Sequence, residues 1–247
     1  FTVTNGDFSS GSKLTGVQKI VAAGAWDNNI SITLHNDANN GTGLTTIDLS
    51  ADSLSAGSNT IDVSADGAGY TLKGSDWIDT ITGSSAADTI DASSGADIIT
   101  GGGGADIIDV GAGDDVLKYS SDANGVDDLF SADNAQANPN TLLDVINGDN
   151  SAGNAGTNSL LLDSSAGTFT IVSSDTFGGD KLIDEITVAA SANAYSITLN
   201  NDMANNGMLK VDLSGDSNPL GANTVNASAE SDQLNYDIDG SAGPDTL

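Results

Sequence analysis

Five aspartates fall nine residues apart in one stretch of this 247-residue chain: Asp79, Asp88, Asp97, Asp106 and Asp115. Two places after each stands a large aliphatic, in turn Ile81, Ile90, Ile99, Ile108 and Leu117. Carboxylates at a fixed step either solvate a surface or gather around a hard cation that takes oxygen ligands. The aliphatic partner favours the second, because a solvated stripe has no use for an inward residue repeated in phase with it.

The units that must position these acids start at Gly74, Gly83, Ala92, Gly101 and Val110. Each opens on small residues and closes on a short β-branched run, which reads as a turn followed by a strand. Gly95, Gly102, Gly104, Gly111 and Gly113 supply the positive φ of such a turn, and Ile98, Ile99, Ile107, Ile108 and Val116 supply strand propensity. One inward aliphatic per strand cannot make a core alone, so the units must stack, two per coil, into a right-handed parallel roll. Loops of alternate units then lie one above the other: Asp79 on Asp97, Asp97 on Asp115, Asp88 on Asp106. Carboxylates stacked in this way repel unless a cation sits between them. Ca²⁺ suits the arrangement, since it accepts about six to eight oxygens in loose geometry, whereas Mg²⁺ wants a small octahedron and keeps its waters.

The units resemble the GGxGxDxUx repeat of RTX proteins, calcium-binding β-rolls exported by bacteria. Residues 101–106 (GGGGAD) and 110–115 (VGAGDD) carry the resemblance best, while Ser, Ala or Trp replaces glycine in 74–79, 83–88 and 92–97. The resemblance implies Ca²⁺ as cofactor and adds backbone carbonyls to each aspartate pair. Those of Ser75, Trp77, Ala92 and Ser94 would join Asp79 and Asp97. Those of Ser84, Ala86, Gly101 and Gly103 would join Asp88 and Asp106, and those of Ser93, Gly95, Val110 and Ala112 would join Asp97 and Asp115. It also implies type I secretion, with folding driven by calcium outside the cell.

Composition narrows the partners. With 35 Asp and Glu against 6 Lys and Arg the formal net charge is −29, so binding to nucleic acid or an anionic membrane meets electrostatic repulsion. Only Glu185 and Glu230 are glutamates, a bias toward turns and metal ligation over helix. There is no cysteine, which is compatible with the cytosol and is also what a secreted chain stapled by calcium would show. The first residues have neither the basic nor the apolar region of a cleavable signal, and no apolar run is long enough to offer a membrane span. Beginning with Phe1, the chain reads as part of something larger.

Around the roll at 74–118 the chain is expected to divide into a strand-rich half at 1–73, a strand-containing bridge at 119–168, a second strand-rich half at 169–239 and the start of another roll at 240–247. Strands are expected at 18–22, 30–34, 45–49, 60–63, 70–72, 142–146 and 160–162. Residues 169–247 copy 1–81 at a nearly constant offset: SITLHND answers SITLNND, Asn59-Thr60-Ile61 answers Asn223-Thr224-Val225, and YTLKGSDWIDTI answers YDIDGSAGPDTL. The copy puts Asp245 at the ligand place of a further loop. The fold class is therefore all-β, the strand-rich halves joining the roll as a solenoid or flanking it as a sandwich.

Catalytic groups are sparse. The one histidine, His35, has Asn200 as its counterpart, and no nucleophile elbow, zinc helix or phosphate loop occurs. Trp26, Trp77 and Tyr195 are expected to be buried at strand ends, and Lys13 and Lys181 to pair with acids or with a neighbouring module. The chain is expected not to be an enzyme but a calcium-dependent extracellular structural protein that self-assembles at the bacterial surface, as an S-layer or filament subunit. Its partner would then be itself, without nucleic acid or membrane insertion. The alternatives are the stalk or ligand-binding module of an adhesin, with a surface glycan as partner, and the calcium region of a secreted hydrolase.

Overall fold

The computed structural model describes residues 2–3, 17–22, 29–35, 43–53, 57–120, 145–147, 157–164, 169–171, 183–190, 193–199, 203, 208–220, 222–228 and 235–247. Trp26, Lys13 and Lys181 lie outside them. The chain forms two compact units, Phe1–Val116 with Asp144–Gly156, and Leu117–Leu143 with Thr157–Leu247.

In the first unit the strands alternate between two parallel sheets. One runs β1 (Thr2–Val3), β3 (Ser31–His35), β5 (Asn59–Ala65), β7 (Asp79–Thr82) and β9 (Ile98–Thr100). Val116, the first residue of β11 (Val116–Ser120), adds the next rung by donating its N–H to the Asp97 carbonyl at 2.8 Å. The other sheet runs β2 (Lys19–Val21), β4 (Thr46–Asp48), β6 (Thr71–Lys73), β8 (Thr89–Asp91), β10 (Ile107–Asp109) and β12 (Val145–Asn147). A chain that visits two sheets in strict alternation, always in parallel, is a coil of two strands per turn. Of the two arrangements open to the stretch before Gly74 the solenoid is the one formed, because β5 pairs β7 and β4 pairs β6 in register with the nine-residue units.

The core is a pair of aliphatic ladders. Ile32, Ile61, Ile81 and Ile99 follow one another in register up one sheet, and Ile47, Leu72, Ile90 and Ile108 up the other, all fully buried. Every predicted inward residue of the five units is buried, Leu117 included. The outward places between them carry Thr80, Thr89, Ile98 and Ile107, so β propensity rather than burial explains the isoleucines there. Coil length changes along the unit. Strand partners stand two units apart in the nine-residue region (Thr80 with Ile98, Thr89 with Ile107), but more than three units' length apart at Ser31 with Thr60 and nearly three at Thr46 with Thr71. The longer coils keep the same two sheets.

The second unit repeats the plan. β13 (Ser159–Asp163), β15 (Glu185–Val188), β17 (Lys210–Asp212) and β19 (Asp237–Asp239) form one parallel sheet, and β14 (Phe169–Ile171), β16 (Tyr195–Thr198) and β18 (Thr224–Asn226) the other. Leu160, Ile186, Val211 and Ile238 align up the first, and Ile171, Ile197 and Val225 up the second. Tyr195 is buried as expected, its hydroxyl donating to the Ala189 carbonyl at 2.7 Å. Trp77 instead is 37% exposed, because the inner space of its loop is taken by the Ser75 hydroxyl and the Asp79 carboxylate.

Candidate metal centre

All five aspartates are buried where each loop meets its strand, at 3% exposure or less. The expected stacking is present. The Asp79 N–H donates to Asp97 Oδ1 at 2.7 Å, the Asp97 N–H to Asp115 Oδ1 at 2.9 Å, and the Asp88 N–H to Asp106 Oδ1 at 2.8 Å. Each accepting carboxylate therefore caps the backbone of the preceding coil and is fixed at the loop interior.

The loops nest closely enough to require glycine at specific points. At Gly83 a Cβ would lie on the Gly101 carbonyl oxygen and 2.7 Å from Asp88 Oδ2, and at Gly74 it would meet the Ala92 carbonyl and, at 2.7 Å, Asp79 Oδ2. We expect Gly83→Ala to lower stability by about 2 to 3 kcal/mol in urea unfolding, since backbone and a buried carboxylate must both shift. Gly67→Ala, where the nearest atom to the new Cβ is Ser85 Oγ at 3.9 Å, should stay within about 0.5 kcal/mol.

The predicted carbonyls line the same loops. Those of Ser75, Ser84 and Ser93 accept the N–H of Ser94, Gly103 and Ala112 at 3.4, 2.9 and 2.9 Å, which uses one lone pair of each. The Ala112 carbonyl accepts Gly95 N–H at 2.8 Å, and the Ala92 and Gly101 carbonyls lie over Gly74 and Gly83. The Trp77 and Ala86 carbonyls accept the hydroxyls of Ser75 and Ser84 at 3.4 and 3.2 Å. Val110 is fully buried at the opening of the fifth loop. Asp245 sits in an equivalent loop in the second unit, held by Ser241 through its N–H at 2.6 Å and its hydroxyl at 2.7 Å.

Whether these residues suit a cation is decided by what they leave unsatisfied. Asp79 Oδ1 and Asp97 Oδ2 are buried and receive no hydrogen bond. Burial pushes the Asp97 carboxyl up to about 8, reinforced by the charges of Asp79 and Asp115, and burial also raises Asp79 and Asp88 above the usual carboxylate range. Lone pairs facing inward on carboxylates that resist ionisation are what a bound cation would stabilise. Among the described residues no three His, Cys, Asp or Glu side chains converge on one point; the oxygens that meet where the loops stack are those of paired aspartates and of backbone carbonyls. Oxygen-only ligands of mixed charge fit Ca²⁺. When bound, the ion would neutralise the stacked acids and join successive coils.

Sequence reasoning missed how far the aspartate ladder extends. Asn59 stands in register with Asp79, and its Oδ1 accepts the Ile30 N–H at 2.9 Å, as Asp97 does for Asp79. Its amide donates to Asp52 Oδ2 at 3.1 Å and Ser75 Oγ at 3.2 Å, so a neutral donor stands beside the acids at the foot of the roll. Asn223 repeats this in the second unit, accepting from Tyr195 N–H at 3.0 Å and donating to Asp216 Oδ2 at 2.9 Å and Ser241 Oγ at 3.2 Å. On the other edge Asp88 Oδ1 accepts Tyr70 N–H at 2.6 Å, and the Tyr70 hydroxyl donates to Asp66 at 2.9 Å. The sequence held a signal for the asparagines: Asn59-Thr60-Ile61 has the form of Asp79-Thr80-Ile81, with an amide for the acid.

Residues 71–93 and 82–117 match the family model of the RTX calcium-binding nonapeptide repeat. Neither a curated protein nor a solved structure matches the chain. The matched segment coincides with the stacked aspartate loops, and on sequence, geometry and ligand chemistry together the chain carries an RTX β-roll whose cofactor is Ca²⁺.

Proposed function

We propose that the chain is a non-catalytic, calcium-dependent extracellular structural protein that self-assembles on or near the bacterial surface, as a subunit of an S-layer or filament. The observation that carries this reading is that one architectural joint is built twice. Asn59, Asp52, Ser75 and Asp79 in the first unit recur as Asn223, Asp216, Ser241 and Asp245 in the second, with matching hydrogen bonds. Duplicated modules whose buried polar groups serve coil stacking are what a scaffold needs. Coil stacks also offer end surfaces that can join head to tail. Outside the cell, calcium near millimolar would fill sites of the extracellular class, with dissociation constants of roughly 10⁻⁴ to 10⁻³ M. No helix among the described residues is long and apolar enough to cross a membrane.

The test is light scattering with negative-stain microscopy at millimolar calcium and in EGTA. Filaments or sheets that form with calcium and disperse in EGTA support assembly. A folded particle that never associates moves the reading to an adhesin stalk or ligand-binding module. The surface pair Trp77 and Ile78, 37% and 47% exposed, favours that second reading and makes a glycan array the next experiment.

A further inference from the structure

The residue at the second place of each loop takes one of two forms. In the loops of Asp79, Asp88 and Asp245 it is Ser75, Ser84 or Ser241. Each donates its backbone N–H to Oδ2 of its own unit's aspartate at 2.6 Å. Each hydroxyl reaches the same carboxylate, at 3.0, 3.1 and 2.7 Å. Each also accepts the N–H two residues on, from Trp77, Ala86 and Gly243 at 3.2, 3.0 and 3.2 Å. The loop closes on its own donors, and at Asp88 both oxygens are occupied, by Tyr70 N–H and by Ser84.

In the loops of Asp106 and Asp115 the second place is Gly102 or Gly111, at φ +94° and +82°. Neither residue has a hydroxyl to offer its aspartate, and at Gly111 the N–H donates to Asp109 Oδ1 at 3.2 Å. Ser93 belongs to both classes. It is a serine by type, yet it is held at φ 77°, the one described non-glycine residue with positive φ. Its hydroxyl turns to Asp91 Oδ1 at 3.3 Å, and Asp97 Oδ2 stays buried without a donor. Left-handed backbone is costly for a residue with a Cβ, and such strain persists where the surroundings demand it.

We propose that the second-place residue decides whether a loop depends on Ca²⁺, and that Ser93 switches between the two forms. The hydroxyl latches of Ser75, Ser84 and Ser241 hold their loops closed without metal, helped by the Asn59 and Asn223 amides. The glycine loops are held open for a cation. On calcium withdrawal Ser93 leaves the left-handed region and latches onto Asp97 as Ser75 does onto Asp79; calcium binding reverses this. The proposal rests on calcium binding alone and is indifferent to where the protein works.

Hydrogen exchange read by mass spectrometry on the full chain tests it. Peptides covering 74–91 should keep protection in EGTA, and those covering 101–118 should gain it only with calcium. Protection of both at the same calcium concentration overturns the proposal. Ser84→Gly should strip 82–91 of protection in EGTA, and its retention there counts against the latch. Ser93→Gly should tighten calcium binding about fivefold without stabilising the EGTA form, because the competing latch and the left-handed strain are both removed. If Ser93→Gly stabilises both forms equally and leaves calcium affinity unchanged, Ser93 is strained but is no switch. The wild-type exchange pattern needs no variant to fold.

Discussion

Replacing Asp97 by Asn should act in opposite directions with and without calcium. Asp97 belongs to both stacked pairs on its edge of the roll, accepting from Asp79 and donating to Asp115. At calcium about a hundredfold above the dissociation constant each lost site removes about 2.7 kcal/mol. Asp97→Asn should therefore cost about 5 kcal/mol, and Asp79→Asn, which touches one pair, about half that. In EGTA the same substitution should be neutral or stabilising. An amide oxygen can still accept the Asp79 N–H, as Asn59 and Asn223 accept from Ile30 and Tyr195, while a buried acid beside Asp79 and Asp115 is gone. Urea unfolding of the two variants in both conditions reads this directly. Equal losses in calcium would remove the shared-ligand arrangement.

Without calcium, the chain should lose stability as pH rises. The Asp97 carboxyl is pushed up to about 8, first by burial and then by its acidic neighbours, and burial raises Asp79 and Asp88 in the same direction. The folded chain thus keeps protons that the unfolded chain releases near pH 4, so their contribution is complete below about pH 4 and is lost as pH climbs through about 8. In EGTA the urea midpoint should be higher at about pH 5 than at about pH 8.5. Calcium, which takes the proton's place, should flatten or reverse that slope. A midpoint in EGTA that rises with pH across this range would contradict the account of the carboxylates.

The nine-residue phase made the roll legible because two constraints repeat together: an acid that must face the loop interior and an aliphatic that must face the core. Ile81, Ile90, Ile99 and Ile108 lie where that phase puts them, and the aspartates pair as the two-unit coil requires. Away from the roll the coils lengthen and the phase is lost, so strands could be recognised at 30–34 and 60–63 without the sheet order that joins them. The polar interior was harder to read for a related reason. Asn59 and Ser84 are ordinary turn residues by type, and only the register shows that one substitutes an amide for an acid and the other closes a loop on Asp88. The positive φ of Ser93 was likewise hidden, since residue type argues against it.

The most direct test of the central claim, that Ca²⁺ shared between stacked aspartates holds the roll together, is the melting temperature of the full chain against free calcium, with EGTA as the baseline and magnesium as the control. The account predicts a Tm that climbs with the logarithm of calcium concentration, with magnesium unable to substitute. A Tm that is the same in EGTA and in millimolar calcium, or that magnesium raises equally, would contradict it.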